Sequence, residues 1–272
     1  DFEKTSKKIK RKIKGKGLFI SQGFIGSNKK SYTTTLGREG SDYSAAIFAH
    51  ALDAELVIIW KDVRGVLNAD PRYFNKTKLL KKISYEEAIE LAFYGASVIH
   101  PKTLQPLKKK NIPLYVKSFL RPSREGTLIS KHDSTVRNIP SHIVKWNRVL
   151  LKISSKDFSF IVEKKISLIF SMLSKYKMKV ELIQNSAISF SVVLNNKYGG
   201  LDKLLDELKE TFKVSVDKEV LLFTVRHFNR ISLKHIKKLN QNILLEQRTH
   251  KTLQLVLSKN VKQENFFGFF VR

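Results

Sequence analysis

The sequence contains no cysteine, which excludes a disulfide framework, a thiol nucleophile and any cysteine-ligated metal. Acidic residues are scarce, with 24 Asp and Glu against 51 Lys and Arg, for a formal charge of +27. No stretch approaches the roughly 18 uninterrupted apolar residues that a membrane span needs, so no membrane partner is expected. The Walker A pattern GxxxxGK[ST] does not occur, which excludes an ordinary P-loop nucleotide site. The seven histidines show no HExxH or paired ligand spacing, so no residue is assigned to a metal. The two methionines, Met172 and Met178, read as core filler. The basic opening, DFEKTSKKIKRKIKGKG, has no apolar centre and no cleavage site, and is not read as a signal peptide. Asp1 stands where a methionine would, and the expectation drawn from it is a truncated or processed chain.

What is present suffices for a folded protein. Apolar residues make up 42% of the 272, enough for a core and for one large or two smaller domains. The excess of basic charge points to an anionic partner of some kind. Its densest run holds Lys4, Lys7, Lys8, Lys10, Arg11, Lys12, Lys14 and Lys16. Lysine dominates and aromatics are not interleaved with it, as base stacking would require. No zinc-finger, RRM or KH signature accompanies it, so the run reads as a solvated helix face and nucleic acid is not expected as the partner.

Residues 18–22 (Leu18, Phe19, Ile20) read as a short buried strand followed by a glycine-bearing loop. An Ala-rich helix is expected from Ser41 to Ala54, with Ser41 or Asp42 as its N-cap. Glu55 to Trp60 has the apolar, β-branched composition of a strand buried on both faces. Ser84 with Glu87 forms a capping box, a second helix follows His100-Pro101, and 113–116 reads as a strand. Strands alternating with helices predict a parallel α/β sheet. The segment 121–145, with Pro122, Gly126 and Pro140, reads as a linker. Beyond it the pattern becomes strand 146–153, helix 165–176, strands 180–183 and 188–194, and helix 200–212. That βαββα order opens a ferredoxin-like module. A rougher echo follows over 219–257.

The chemistry-bearing motif is TTTLGREGSD at 33–42. A threonine-rich, glycine-bearing loop runs into a helix start, where free N–H groups and the helix dipole favour a phosphate or carboxylate. Arg38 projects from the loop with a guanidinium able to grip a carboxylate through two parallel hydrogen bonds. Spacing alone leaves a plain tight turn equally open.

With QGFIGS, TTTLGREGSDYSAA, DVRGVLNADPR, YGASVIHPKTL and IPLYVKS in this order, the chain resembles the carboxyl-terminal half of the aspartate kinase family over about residues 18–258. It lies nearest the lysine-sensitive type. The resemblance implies part of a three-layer amino acid kinase domain over 1–135, a first ferredoxin-like (βαββαβ) ACT domain over 146–218 and a shortened second ACT unit over 219–272. It implies ATP-dependent phosphorylation of the L-aspartate side chain to 4-phospho-L-aspartate, with Mg²⁺, in the cytoplasmic route to lysine, threonine and methionine. Arg38 would hold aspartate, while Ser41 and Asp42 would stand at the phosphate end as catalytic residues. Lys61, Asp62, Leu67, Arg72, Ser97 and Val98 would face the nucleotide. A homodimer through the ACT domains is implied as well. The alternative is a non-catalytic regulatory or partner subunit that binds an amino acid through its ACT domains.

Several positions depart from the family pattern. Glu39 replaces a glycine, and costs about 1–2 kcal/mol if that site needs positive φ. Lys61 replaces a threonine, Leu67 a tyrosine and Ser97 a lysine. The family's amino-terminal K-F-G-G segment and the acidic residue that helps hold aspartate do not occur, so little or no kinase activity is expected from this chain by itself. In the regulatory half the effector contacts fall at Glu181 and Ser186, within VELI and QNS, and a glycine expected before the helix is replaced near Glu163-Lys164. Weakened lysine binding is the expectation.

Overall fold

A computed structural model describes residues 1–96, 98–131, 139–157, 159–237 and 243–261. The chain divides into two compact units. The first comprises Asp1–Asp70 and Lys76–Ile139, and the second Pro71–Asn75 with the residues from Pro140 onward.

Unit 1 opens with helix α1 (Phe2–Lys12), capped by Asp1, whose Oδ1 accepts from the Lys4 N–H at 3.0 Å. Its Phe2 ring lies 5.5 Å from His50 and 6.5 Å from Tyr43 of helix α2 (Gly40–Leu52). Between them, β1 (Ile25–Ser27) and β2 (Thr33–Thr35) form an antiparallel hairpin. The expected strand at 18–20 is absent. Gly15 and Gly17, at φ 79° and 156°, turn the chain just before it, and Leu18 and Ile20 are 92% and 94% exposed. Three apolar residues carry no periodicity, so burial could not be read from them.

A four-stranded sheet follows, in the order β3 (Val57–Lys61), β5 (Leu114–Ser118), β6 (Thr127–Ser130), β4 (Lys82–Ser84). It is mixed and not wholly parallel: β3–β5 and β4–β6 are parallel, whereas β5–β6 is antiparallel. β3 is its outer strand and buries Val57 and Ile59 while exposing Ile58 and Trp60, which corrects the expectation of burial on both faces. Helix α3 (Tyr85–Tyr94) is capped as expected, with the Glu87 N–H donating to Ser84 Oγ at 3.1 Å. His100 caps α4 (Pro101–Lys110) through Nδ1, which accepts from the Lys102 N–H at 3.1 Å, a structural role. Asp53, at the end of α2, accepts from Lys10 of α1 at 3.2 Å and from Lys110 of α4. These two cations hold its carboxyl below the usual carboxylate range. The presumed linker is in part sheet, since β6 lies inside it. A Cβ on Gly126 would fall 1.9 Å from the Val116 carbonyl oxygen, so only glycine lets the chain approach β5 this closely.

Unit 2 is one antiparallel six-stranded sheet in the order β11 (Ile243–Arg248), β12 (Thr252–Leu257), β10 (Phe212–Arg226), β7 (Ser141–Ser155), β9 (Ser189–Asn195), β8 (Lys179–Asn185). Helices α5 (Glu163–Lys175) and α6 (Leu201–Thr211) precede β8 and β10, giving the expected βαββαβ order. Ile153, Ile169, Leu173, Phe190, Leu204 and Phe212 form one buried cluster, while Leu150, Leu182, Val193, Val220, Leu222 and Leu245 form another. Alternation along β7 sends Leu151 and Leu150 to different clusters, the period-2 signature of a strand. β7 begins at Ser141, earlier than expected, because its first residues pair with the far half of β10. α7 (Arg230–Lys237) links β10 to the β11–β12 pair. The aromatic tail at 265–270 lies outside the described residues. No helix among the described residues is long and apolar enough to cross a membrane.

Candidate functional site at the start of helix α2

The loop 22–26 and the start of α2 are locked together by local hydrogen bonds. The Phe24 N–H donates to Ser44 Oγ at 3.0 Å, and Ser44 Oγ donates to the Gly40 carbonyl at 3.0 Å. The Leu36 N–H donates to the Phe24 carbonyl at 2.8 Å. Phe24 takes a left-handed backbone (φ 72°), and its ring lies against Gly40, where a Cβ would meet it at 2.7 Å. Glycine at 40 is therefore a packing requirement. Ser44 and Phe24 were not singled out from the sequence; the only signal for them was their place within the QGFIGS and GSDYSAA motifs.

The helix starts one residue earlier than the composition implied. Its N-cap is Glu39, not Ser41 or Asp42, because the Gly40 N–H closes a turn onto the Gly37 carbonyl at 3.0 Å. Glu39 sits at φ 54°, the left-handed region that the departure from glycine made costly. Its side chain makes no capping bond, and Oε2 is buried without a hydrogen-bond partner. Oε1 lies 3.9 Å from Arg38 Nε, the guanidinium itself being largely exposed. The N–H groups of Ser41 and Asp42, in the first helical turn, have no carbonyl four residues back inside the helix, and they remain available to an anion.

Asp42 is buried, and its Oδ2 is 2.6 Å from Lys61 Nζ at the carboxyl end of β3. The structure thus brings Asp42 and Lys61 together, with Arg38 and Ser41 beside Asp42 along the chain, and Asp62 follows in an exposed bend. Leu67 is half-buried, bridged to Leu79. Val98 is half-buried, with its N–H on the Ala96 carbonyl at 3.1 Å. Ser97 lies outside the described residues. Arg72 belongs to the segment grouped with unit 2, where its guanidinium lies 5.6 Å from the Tyr73 ring centre. A cavity of about 660 Å³ between α1, the hairpin and α2 is lined by Phe2, Gln22, Thr34, Tyr43 and Ser44. Neither Arg38 nor the Asp42–Lys61 pair faces that cavity, so the charged cluster marks the site better than the void does.

In unit 2, Glu181 lies at a register shift between Val180 and Leu182 that re-aims its side chain. Its carboxylate is almost fully buried, at 2% exposure, with Arg148 Nε 2.9 Å and Lys145 Nζ 3.3 Å from Oε2. Burial holds the Lys145 ammonium below its ordinary pKa, although Glu181 pulls the other way. Ser186 is exposed in the β8–β9 turn, where its Oγ lies 2.6 Å from Ser189 Oγ. Neither Lys145 nor Arg148 was legible as a partner of Glu181, being 36 and 33 positions away on another strand.

The strain at Glu39 makes a stability prediction. Replacing Glu39 with Gly removes both the left-handed penalty and the orphaned oxygen, and should stabilise the protein by about 1 kcal/mol net of the glycine's extra unfolded-state freedom. Glu39→Gln, which keeps the backbone conformation, should gain less. Urea denaturation measures both, and a destabilised Glu39→Gly would contradict the account.

Comparison with known proteins gives this geometry a context. Residues 2–118 match the amino acid kinase family. Lysine-sensitive aspartokinase 3 of Escherichia coli (strain K12) is 39% identical over 183 residues, which are 66% of this chain and 40% of that protein. The aspartokinase of Rickettsia felis is 30% identical over 261 residues, 92% of this chain and 65% of that protein. The crystal structure of E. coli aspartokinase III in complex with aspartate and ADP superposes with a TM-score of 0.74 at 31% identity, covering 92% of this chain and 59% of that one. The chain spans less than half the length of several curated relatives. Residues 2–118, most of the α/β unit 1, thus match the amino acid kinase family, and the chain with its ferredoxin-like unit 2 is similar to the aspartokinases over most of its length.

Proposed function

We propose that this chain carries the phosphate-facing part of an aspartate kinase, which transfers the γ-phosphoryl group of ATP to the side-chain carboxylate of L-aspartate to give 4-phospho-L-aspartate. The observation that carries the reading is the Asp42–Lys61 pair, which sets the α2 N-terminus against the carboxyl end of β3, where open α/β sheets receive ligands. Support comes from the E. coli relative, whose structure holds aspartate and ADP.

In this mechanism Arg38, whose side chain is largely exposed, grips the substrate carboxylate in a fork. The N–H groups of Ser41 and Asp42 receive phosphate oxygens, with the helix dipole favouring the negative charge. Asp62 faces the nucleotide beyond Lys61, and Leu67 offers it apolar surface. Arg72, Ser97 and Val98 stand in the reading on the resemblance alone.

The residues present fit a magnesium–nucleotide more readily than a metal held by protein alone. Among the described residues no group of three or more acidic or histidine side chains is assembled around one point. Glu39 Oε2, buried and without a hydrogen-bond partner, is an oxygen that would hold Mg²⁺ together with the nucleotide's phosphates. When bound, Mg²⁺ neutralises phosphate charge and orients the transferring group. Such a reaction belongs in a compartment where ATP and aspartate meet, and the cytoplasm is the reading adopted.

Regulation departs from the lysine-sensitive pattern. Glu181, the carboxylate expected to meet an effector ammonium, is already neutralised by Arg148 and Lys145. The same arrangement disfavours the alternative of a stand-alone amino-acid-binding subunit. The homodimer is retained as part of the proposal.

Three measurements test these statements. Aspartyl phosphate formation, trapped as its hydroxamate, should be detected with the chain alone or with a polypeptide supplying a K-F-G-G segment, and should fall at least about a hundredfold in Arg38→Ala. No turnover in either setting, or turnover unchanged in the variant, contradicts the reading. Calorimetry with lysine should show no tight, saturable binding to the unaltered chain; a clear isotherm would refute internal neutralisation of Glu181. Sedimentation should give twice the 31.4 kDa of one chain, and a monomer at all concentrations would remove the homodimer.

A further inference from the structure

The two long strands of unit 2 change partners part-way along. β9 pairs only with Val149–Ser154 of β7, and β12 only with Leu221–Arg226 of β10. One half of the sheet is therefore the end of β7 with β9, β8 and the start of β10. The other is the start of β7 with the end of β10, β12 and β11. Between the halves the β7–β10 ladder slips, at Asp217–Val220 and again at Val220–Leu222. At that level each strand carries a residue in left-handed backbone, Asn147 at φ 56° and Glu219 at φ 59°. Neither is glycine, so the surroundings must hold the conformation. The β8–β9 ladder slips too, and the residue left over between Val180 and Leu182 is Glu181.

Three side chains cross this line of slips. Glu181 belongs to the first half, whereas Lys145 and Arg148 belong to the second, opposite Leu222 and Val220 of β10. No ladder joins β8 to β7, because β9 stands between them. The Arg148 guanidinium has two holds. Its Nε donates to Glu181 Oε2 at 2.9 Å, and its Nη1 donates to the Trp146 carbonyl at 2.5 Å, one residue before Asn147. A single side chain thus ties the left-handed turn of β7 to the bulge of β8. Lys145 Nζ reaches the same carboxylate oxygen at 3.3 Å, and water has little access to any of the three side chains.

Apolar packing also spans the line. Leu150, Leu182 and Val193 of the first half meet Val220, Leu222, Leu245 and Val256 of the second in one buried cluster. Burial of that kind has no direction and is satisfied over a range of angles. A hydrogen-bonded ion cluster is satisfied at one angle only. Its net energy can be close to zero, because desolvation offsets the attraction. What it contributes is geometry.

We infer that the Lys145–Arg148–Glu181 cluster is a brace that fixes the angle between the two halves of the unit 2 sheet across the break in the β7–β10 ladder. With the brace, the turns at Asn147 and Glu219 are held and the halves move together. Without it, the apolar cluster keeps the halves in contact but lets them rock about those two residues. The inference stands on unit 2 alone and does not depend on the proposed kinase activity.

The chain has no cysteine, so spin labels on Lys203→Cys in α6 and Lys251→Cys in the β11–β12 turn, both exposed, report one distance across the break. Double electron–electron resonance on the otherwise unaltered full chain should give a single narrow distribution. The triple variant Lys145→Met/Arg148→Met/Glu181→Met replaces the three charges by apolar side chains of similar length, an exchange that is often neutral or stabilising. Its urea midpoint should hold or rise while the distance distribution broadens. Its amides at 146–148 and 180–182 should exchange about tenfold faster, the loss of one charge-assisted hydrogen bond. Arg148→Lys keeps the charge, so Glu181 is not stranded, but its compact ammonium lacks the fork that spans Glu181 and the Trp146 carbonyl. It should broaden the distribution as well, and it decides the question if the triple variant does not fold. A folded variant with the distribution and exchange of the unaltered chain overturns the brace and leaves the apolar cluster to set the angle. A broad distribution in the unaltered chain overturns it equally.

Discussion

The contact on which the site depends is the seating of the Phe24 ring against Gly40. It requires a residue with no side chain at the first position of α2 and a left-handed backbone at Phe24. Ser44 ties both ends together from one turn further along the helix. The helix can therefore begin only where the loop permits, and its first N–H groups are presented at the carboxyl end of β3. Arg38 and Glu39 are carried on the same turn. Arg38, Glu39 and Asp42 take their places from that packed corner, in which no residue is itself charged, and Lys61 meets them from β3.

Charge is arranged around the corner in two layers. Glu39 and Asp42 bring negative charge to a helix start that already attracts anions, and Lys61 and Arg38 stand against them. A rigid scaffold with near-balanced charge can discriminate by small movements of a single side chain. In unit 2 the opposite has happened. Glu181 and its two cations are buried together, which removes water and leaves few alternatives to the existing pairing. The Asp42–Lys61 pair stands at a helix start, whereas the Glu181 cluster is closed within the sheet.

Much of this was legible in the residues. Periodicity located most of the strands and helices, and the order of motifs named the candidate site. The pairing between strands was less accessible. β7 extends back to Ser141 because its first residues face β10, and Ser141, His142 and Lys145 have no apolar run to announce a strand. His142 is nevertheless buried, stacked 6.0 Å from Phe223 and tilted against Phe74 at 5.7 Å, a setting assembled from three distant parts of the chain. The Asp42–Lys61 pair escaped for the same reason, since spacing along a chain does not say which loop ends meet. Glu39 was the exception: its departure from glycine announced the strain that the backbone shows.

The two long strands of unit 2 have a consequence of their own. β7 and β10 each run for 15 residues and pair along most of their length, so each passes through both halves of the ferredoxin-like sheet. The halves have no hinge between them at these strands. A twist imposed at the β8 edge would pass along unbroken backbone to the β11–β12 edge, through irregular pairing at Val180–Leu182, Asp217–Leu222 and Ile243–Leu245. The sheet is built as one plate with three creases, so a ligand or neighbour that bends one margin loads the other.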